Sequence, residues 1–237
     1  MLAMLLGGRV GAQPVGYAPA PALLPDLAPD AWMEVAIGTN QPRVTGEAQG
    51  GTVGATLAFG GGLAGPLRGH AAYTTSRQTE NGFAYGYRQI AYEVGLSAVR
   101  PPNQLGIAAS GTVGYGAGAA REDLALDADL RLRTTRADHQ RGFAQGTLLF
   151  VQRERGFVDE ITIGVLGRVE AIGFRYTDED IAGTVRDETV VSVQYGAYSE
   201  LSFWRLTGIG QVVLGQNPGD GVQVSGTHAS LSLRLRL

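Results

Sequence analysis

The C-terminal segment, residues 229–237, alternates strictly between apolar residues and small or charged ones. Leucine occupies positions 231, 233, 235 and 237, and Ser230, Ser232, Arg234 and Arg236 alternate with these leucines. In an extended strand, successive side chains point to opposite faces. The segment therefore predicts a strand with one face against hydrocarbon or a core and with two guanidinium groups on the other face.

The composition favours strands of this kind along the whole chain. Of the 237 residues, 44% are hydrophobic and 36 are glycine. Glycine inside apolar segments weakens a helix, whereas a twisted, bent strand tolerates it. No run reaches the roughly 18 consecutive apolar residues that a membrane helix needs, so any membrane-spanning structure has to be made of strands.

Charge and cysteine usage narrow the classes of function. The formal net charge is −3, and the basic residues are scattered among acidic ones. A nucleic-acid-binding surface clusters basic charge on one face, so we expect no nucleic-acid partner. The absence of cysteine excludes disulfides and thiol catalysis and is compatible with an envelope protein. We also expect no cofactor and no metal site.

The chain divides into three predicted segments. Residues 1–12 are typical of the end of a secretory signal peptide, truncated at its start and cleaved after Ala12; a chance apolar tip is the alternative. Residues 13–30 contain five prolines and predict an extended periplasmic lead-in. Residues 31–237 carry the strand pattern and form the predicted barrel.

Ten segments show the strand pattern, an even number. They are 31–41, 50–60, 66–77, 84–98, 104–118, 141–152, 157–176, 188–201, 205–215 and 223–237. The short connections fall on one side, at 61–65, 99–103, 153–156 and 202–204. The longer ones fall on the other, at 42–49, 78–83, 119–140, 177–187 and 216–222. This arrangement predicts an all-β fold: a ten-stranded antiparallel up-and-down transmembrane β-barrel with short periplasmic turns and longer extracellular loops.

The alternation also predicts which side chains face lipid. In 84–98, the outward set is Ile90, Tyr92, Val94 and Leu96. In 104–118, the inward positions are Gly, Ala, Ser and Thr, which leaves room inside the barrel. In 141–152, four consecutive apolar residues at 148–151 leave the phase of the strand undecided.

With these features, the chain resembles the small porin-like outer-membrane β-barrel proteins of Gram-negative bacteria. The resemblance rests on the alternation over 31–237, on the Tyr-Ala-Pro-Ala-Pro stretch at 17–21 and on the alternating last strand. It implies a location in the outer membrane, contact with outer-membrane lipid, and insertion by the outer-membrane assembly machinery. The family usually ends on Phe or Trp, and this chain departs from that by ending on Leu237.

Inward-facing ionisable residues are predicted to form a charge layer near the periplasmic end of the lumen. Its members are Glu34, Arg68, His70, Glu93, Glu160, Glu200, Arg234 and Arg236. A symmetric hairpin around 78–83 would set Arg68 opposite Glu93, and barrel closure would bring Arg234 or Arg236 to Glu34. Arg168 and Glu170, nearer mid-strand, are the predicted mid-lumen residues. Rings of charge can select ions, but the same layer can also be structural filling of a narrow lumen.

The sequence predicts no enzyme. His139 follows Asp138 within the predicted 119–140 loop, and Ser110 and Ser192 have no base close in sequence, so no nucleophile and base are paired. The predicted function is that of a narrow porin-like channel or a structural barrel with a charged periplasmic-side lumen. The alternatives are a partner-binding or adhesive surface barrel that uses loop 119–140 and, less favoured, a surface enzyme.

Overall fold

A computed structural model describes residues 22–28, 30–44, 47–48, 52–78, 85–125, 132–153, 158–178, 185–216 and 224–237. The predicted signal peptide and residues 13–21 of the lead-in lie outside these ranges. No helix within them is long and apolar enough to cross a membrane. The strands are β1 Trp32–Val44, β2 Glu47–Ala48, β3 Thr52–Ala64, β4 Leu67–Gln78, β5 Tyr85–Arg100, β6 Ile107–Ala125, β7 Leu132–Arg153, β8 Glu160–Asp178, β9 Val185–Phe203, β10 Leu206–Gln216 and β11 Val224–Arg236.

The strands form one closed antiparallel barrel. From β3 to β11, each strand pairs with its neighbour along the chain, β1 pairs with β3, and the two-residue β2 pairs with the end of β1. β11 then pairs with β1 from Trp32 opposite Arg236 to Val44 opposite Val224, which closes the sheet on itself. Among the described residues, ten long strands build the wall, and the predicted fold class is confirmed.

The outer face of the barrel is apolar and exposed. On β11, Leu231 and Leu233 are 67% and 55% exposed, whereas Arg234 between Leu233 and Leu235 is 1% exposed. The faces predicted for 84–98 hold as well, since Ile90, Tyr92, Val94 and Leu96 are all exposed. Soluble proteins rarely expose apolar surface on this scale. A lipid-facing band on a closed barrel, by contrast, is apolar all round.

The two ends of the barrel differ. We call the end that carries the short connections Gly65–Pro66, 101–106 and Trp204–Arg205 the turn end. The barrel also begins and ends there, because the Leu237 amide donates to the Ala31 carbonyl over 2.8 Å. In the 101–106 connection, the Asn103 side chain accepts from the amides of Leu105 and Ile107, over 2.9 and 3.0 Å, and fixes the turn. The opposite end is the loop end.

The predicted loop 119–140 is wrong at both of its boundaries. β6 continues to Ala125 and β7 begins at Leu132. Residues 126–131, between these strands, lie outside the described residues. His139, expected in a solvated loop, therefore belongs to a strand, where it is 2% exposed and its ring lies 6.0 Å from that of Phe174. The sequence missed these strand ends because small and charged residues replace the apolar members of the alternation.

The structure settles the phase of the ambiguous segment. Leu149 and Val151 are buried at 7% and 6% exposure, whereas Leu148 and Phe150 point outward at 54% and 50%. All four positions are apolar because the inner pair also meets an apolar surface. That surface belongs to residues from the start of the described chain.

Residues 22–28, which we call the N-terminal segment, run inside the barrel. Ala22, Leu23 and Leu24 are at most 4% exposed. Ala22 and Leu24 pack in one cluster with inward-facing side chains of the barrel, which we call the inner apolar wall: Ala108, Leu149, Val151, Leu166, Tyr198, Ile209 and Val213. The sequence placed residues 13–30 in the periplasm, and the structure places this part of them in the lumen.

Candidate functional site in the barrel lumen

Inward-facing charges gather at two depths of the lumen. The deeper group, which we call the mid-lumen network, consists of His70, Glu93, Arg141, Gln145, Arg168, Glu170 and Gln194. The second group, the turn-end cluster, consists of Asp26, Glu34, Arg234 and Arg236. The sequence predicted His70 and Glu93 in the layer near the turn end and Arg168 and Glu170 at mid-lumen. The structure instead joins His70 and Glu93 to Arg168 and Glu170.

Glu93 on β5 is the centre of the mid-lumen network. Its Oε2 atom accepts from Nη2 of Arg141 over 2.7 Å and from Nη2 of Arg168 over 2.8 Å. The Nε2 atom of His70 lies 3.4 Å from its other oxygen. Arg141 and Arg168 come from β7 and β8. One carboxylate therefore links strands that do not pair with β5.

Glu170 and two amide side chains complete the network. Arg168 Nε donates to Glu170 Oε1 over 2.6 Å, and Gln194 donates to the other oxygen of Glu170 over 3.1 Å. The guanidinium carbon of Arg168 also stands 3.7 Å from the centre of the Phe143 ring. An arginine held over an aromatic face gains a cation–π contact in addition to its hydrogen bonds. Charge-assisted bonds of this kind fix the geometry of both partners.

Two glycines of β6 make the reach of β7 side chains possible. A Cβ added at Gly116 would lie 2.5 Å from Nε of Arg141, and one at Gly114 would collide with the Phe143 ring. Arg141 can therefore lie across β6 and meet Glu93 on the strand beyond it. The sequence interpretation that small residues on this strand leave open space is wrong at these positions, because β7 side chains fill that space.

The network is closed off from solvent. Glu93, Arg141, Arg168 and Glu170 are between 1% and 3% exposed. Buried charges are costly unless each is paired and hydrogen-bonded. Here two carboxylates face two guanidinium groups, so their formal charges cancel. The arrangement can hold the walls of the lumen together and can block a passage.

The turn-end cluster joins the closing strands to the N-terminal segment. Arg234 donates to Glu34 Oε2 over 2.9 and 2.7 Å and to the Leu24 carbonyl over 2.6 Å. Asp26 accepts from Arg236 over 3.0 and 3.2 Å, and one of its oxygens lies 3.8 Å from Arg234. Glu34 and Arg234 are opposite each other in the β1–β11 register. The closing seam therefore carries a buried ion pair that also holds the segment.

Three predicted members of the charge layer remain, and the first of them is Arg68. Arg68 is not opposite Glu93, because the register sets it opposite Ser97, four residues further along β5. Its guanidinium instead donates to the carbonyls of Gly65 and Leu67, over 2.7 and 3.0 Å. The β4–β5 pairing is centred about two residues later in the chain than a loop at 78–83 predicts, so the predicted pairing is wrong.

The other two lie on the inner side of β8 and β9. Glu160, at the start of β8, is 3.6 Å from Arg153, whose side chain is 79% exposed. Glu200 lies on β9 opposite Thr162 and Ile209. Glu200 also interacts electrostatically with Arg234 of the turn-end cluster.

Sequence reasoning missed Arg141 and Asp26. Arg141 begins the segment whose phase was undecided, although it shares its parity with Phe143, Gln145 and Leu149. Asp26 lies in a stretch without periodicity, so no pattern points to its partner. Within the part of the chain that the structure describes, no group of three or more His, Asp or Glu side chains could hold a metal ion.

Comparison with known proteins gives a likeness of fold. No family model matches the chain, and no curated protein matches it. Among solved structures, the translocator domain of the autotransporter NalP from Neisseria meningitidis is similar, with a TM-score of 0.53 and 10% identity over 88% of this chain and 89% of that one. This chain has the fold of bacterial outer-membrane β-barrels.

Two further structures show weaker likeness. The transport unit of the autotransporter AIDA-I from Escherichia coli has a TM-score of 0.43 and 11% identity, covering 88% of this chain and 90% of that one. The attachment invasion locus protein Ail of Yersinia pestis has a TM-score of 0.39 and 11% identity, covering 87% and 99%. The apolar exterior of the closed wall fits a bilayer, and barrels of this build span the outer membrane of Gram-negative bacteria.

Proposed function

We propose that the protein is a structural outer-membrane barrel whose lumen is sealed at two depths, without a permanently open channel and without enzymatic activity. The observation that carries this proposal is the burial of the mid-lumen network, whose four charged members Glu93, Arg141, Arg168 and Glu170 are at most 3% exposed. An ion-selective filter presents its charged groups to water and to the passing ion. These four side chains instead bind one another.

The N-terminal segment supports the same proposal as a second seal. It fills the lumen between the mid-lumen network and the turn end, and Gln145 links the two by donating to the Leu23 carbonyl over 3.0 Å. A solute crossing the barrel would have to displace both the segment and the network. The partners that this role requires are the lipids of the outer membrane and the machinery that inserts barrels into it.

Single-channel recording in a planar bilayer tests the two seals. We expect the wild-type protein to give no open steps. The pair substitution Arg168→Ala with Glu170→Ala removes both signs of charge and keeps the Glu93–Arg141 bond, and deletion of residues 22–28 removes the other seal. Each change alone should leave the bilayer silent, because one seal remains, and the combination should give open steps.

A gel shift between boiled and unboiled samples confirms in each case that the barrel is folded. Stable open steps in the wild-type protein would overturn the sealed barrel in favour of a porin-like channel. A single change that conducts as strongly as the combination would overturn closure at two depths.

A further inference from the structure

The inner apolar wall is unusual for the inside of a membrane barrel. Barrel interiors of this class are polar, yet inward-facing Leu149, Leu166, Ile209 and Val213 form one continuous cluster. These side chains are at most 7% exposed because Ala22 and Leu24 of the N-terminal segment cover them. The barrel thus contains an apolar chamber in its turn-end half, and part of the chain itself occupies it.

The chemistry of the occupying segment matches an anionic amphiphile. Leu24 lies against the apolar wall, and the carboxylate of Asp26, two residues later, binds Arg236 and approaches Arg234. The Leu24 carbonyl adds an acceptor for Arg234. Apolar surface and guanidinium groups therefore lie side by side in the wall, each covered by the matching part of the segment.

The segment is held by side chains rather than by the sheet. Residues 22–28 belong to no strand. Hydrogen bonds from arginine and glutamine side chains of the wall hold their backbone carbonyls, including a 3.4 Å bond from Arg68 to the Leu27 carbonyl. Arg236, which binds Asp26, is still 23% exposed in its side chain. The segment can leave without breaking a single strand pairing of the barrel.

We propose that this chamber is a binding site for an anionic amphiphile, an alkyl chain that bears one carboxylate. The N-terminal segment is the internal occupant that the ligand displaces. In the bound state, the alkyl chain takes the place of Ala22 and Leu24 against the inner apolar wall, and the carboxylate takes the place of Asp26 at Arg236 and Arg234. The inference rests on the proposed closure, because the mid-lumen network forms the inner limit of the chamber.

Trp32 provides a local reporter for this site. It is 2% exposed, packs in a cluster with Leu23, and lies under the Arg234 guanidinium at 4.6 Å. The chain has two tryptophans, and the other, Trp204, is 81% exposed at the turn end. A Trp204→Phe protein therefore reports from the lumen, and a Trp32→Phe protein reports from outside it as the matched control.

The experiment uses the full chain in lipid vesicles with 2-bromooctanoate, whose bromine stands beside the carboxylate, and so beside Trp32 in the bound state, and quenches tryptophan on contact. We expect saturable quenching of Trp32 and none beyond the linear, partition-driven effect on Trp204. The neutral analogue 2-bromooctan-1-ol should quench Trp32 far less, because it has no carboxylate to bind Arg236. Loosening the segment with Leu24→Ala and Asp26→Ala should lower the half-saturating concentration about tenfold, since the ligand no longer competes with it.

Arg236→Gln in the Leu24→Ala, Asp26→Ala background provides the opposite test. The segment is already loosened there, so the substitution should raise the half-saturating concentration of the acid without changing the response to the alcohol. Equal quenching by acid and alcohol would overturn the anionic site. An unquenched Trp32 in both the intact and the loosened protein would overturn the chamber as a binding site altogether. Bilayer recordings distinguish failure of the binding site from failure of the sealed barrel. A protein that gives no open steps and whose Trp32 is not quenched would keep the sealed barrel and exclude the binding site.

Discussion

The two charged groups of the lumen both rely on glutamate–arginine pairs but depend on different parts of the chain. Every member of the mid-lumen network projects from a strand, on β4, β5, β7, β8 and β9. The turn-end cluster needs Asp26, which lies on the N-terminal segment and outside the sheet. The first group is therefore fixed once the barrel has formed, whereas the second also requires that the segment be docked.

The mid-lumen network is therefore part of the barrel wall, whereas the contacts of Asp26 exist only while the N-terminal segment is docked. Breaking the mid-lumen network should destabilise the barrel itself. Breaking the contacts of Asp26 should release the segment and leave the wall nearly unchanged. Substitutions at the two depths can test that distinction.

The largest effect is expected at the centre of the network. Glu93→Ala leaves Arg141 and Arg168 buried beside one carboxylate instead of two, and loss of one partner of a buried ion pair costs about 3–5 kcal/mol. Urea unfolding in lipid vesicles would measure the fall in the free energy of unfolding. A fall below about 1 kcal/mol would show that the network does not support the wall.

A smaller loss is expected where the network needs space. Gly116→Ala places a methyl group against Arg141 and the backbone of β5, and overpacking of this kind costs about 1–3 kcal/mol. Gly142→Ala is the matched control, because a Cβ there meets nothing within 4 Å. Equal unfolding free energies for the two variants would contradict the reach of Arg141 across β6.

At the turn end, Asp26→Ala should cost about 1.5 kcal/mol, at the low end for a charge-assisted hydrogen bond, because Arg236 retains access to water. The specific result is local. In a Trp204→Phe background, the emission of Trp32 should shift to the red as Leu23 withdraws and water enters. If Asp26→Ala lowered the free energy of unfolding as much as Glu93→Ala and left the Trp32 emission unshifted, the segment would instead belong to the structural core.

The smallest effect is expected outside the lumen. Arg136 and Asp138 form an ion pair over 3.1 Å, but their side chains are 57% and 50% exposed. Exposed pairs contribute little, so Arg136→Ala should change the free energy of unfolding by no more than about 0.5 kcal/mol. The same urea titration measures it and sets the baseline for the other three. A clear loss here would mean that all charge pairs of this barrel contribute alike.

Alternation in the sequence was enough to predict the wall. Period two is a local property, so Leu231, Arg234 and Glu93 could each be assigned to a face without knowledge of their neighbours. Closure of the barrel predicted that Arg234 or Arg236 would approach Glu34, and in the structure it is Arg234 that lies opposite Glu34.

What crosses the lumen could not be predicted in the same way. The alternation says that Arg141 and Glu93 point inward, but not that the two meet over a strand without side chains at Gly114 and Gly116. The partner of Arg68 depends on the register of the β4–β5 hairpin. A loop centred on 78–83 predicts Glu93, whereas the structure sets Ser97 opposite Arg68. The N-terminal segment has no periodic pattern of apolar residues that could predict its position. Leu149 and Val151, which pack against it, are apolar like their outward-facing neighbours, so the alternation of β7 is lost at these positions.

The Glu34–Arg234 pair also bears on how the barrel closes. Its members are separated by 200 positions in sequence, so β1 and β11 keep unpaired edges until the last strand has been supplied. Open edges invite pairing with the wrong strand. A slip of one residue would turn Arg234 towards the hydrocarbon, and a slip of two would carry it past Glu34. Only the correct register of β1 against β11 therefore brings the two charges together, and the ion pair favours that register over the slipped ones.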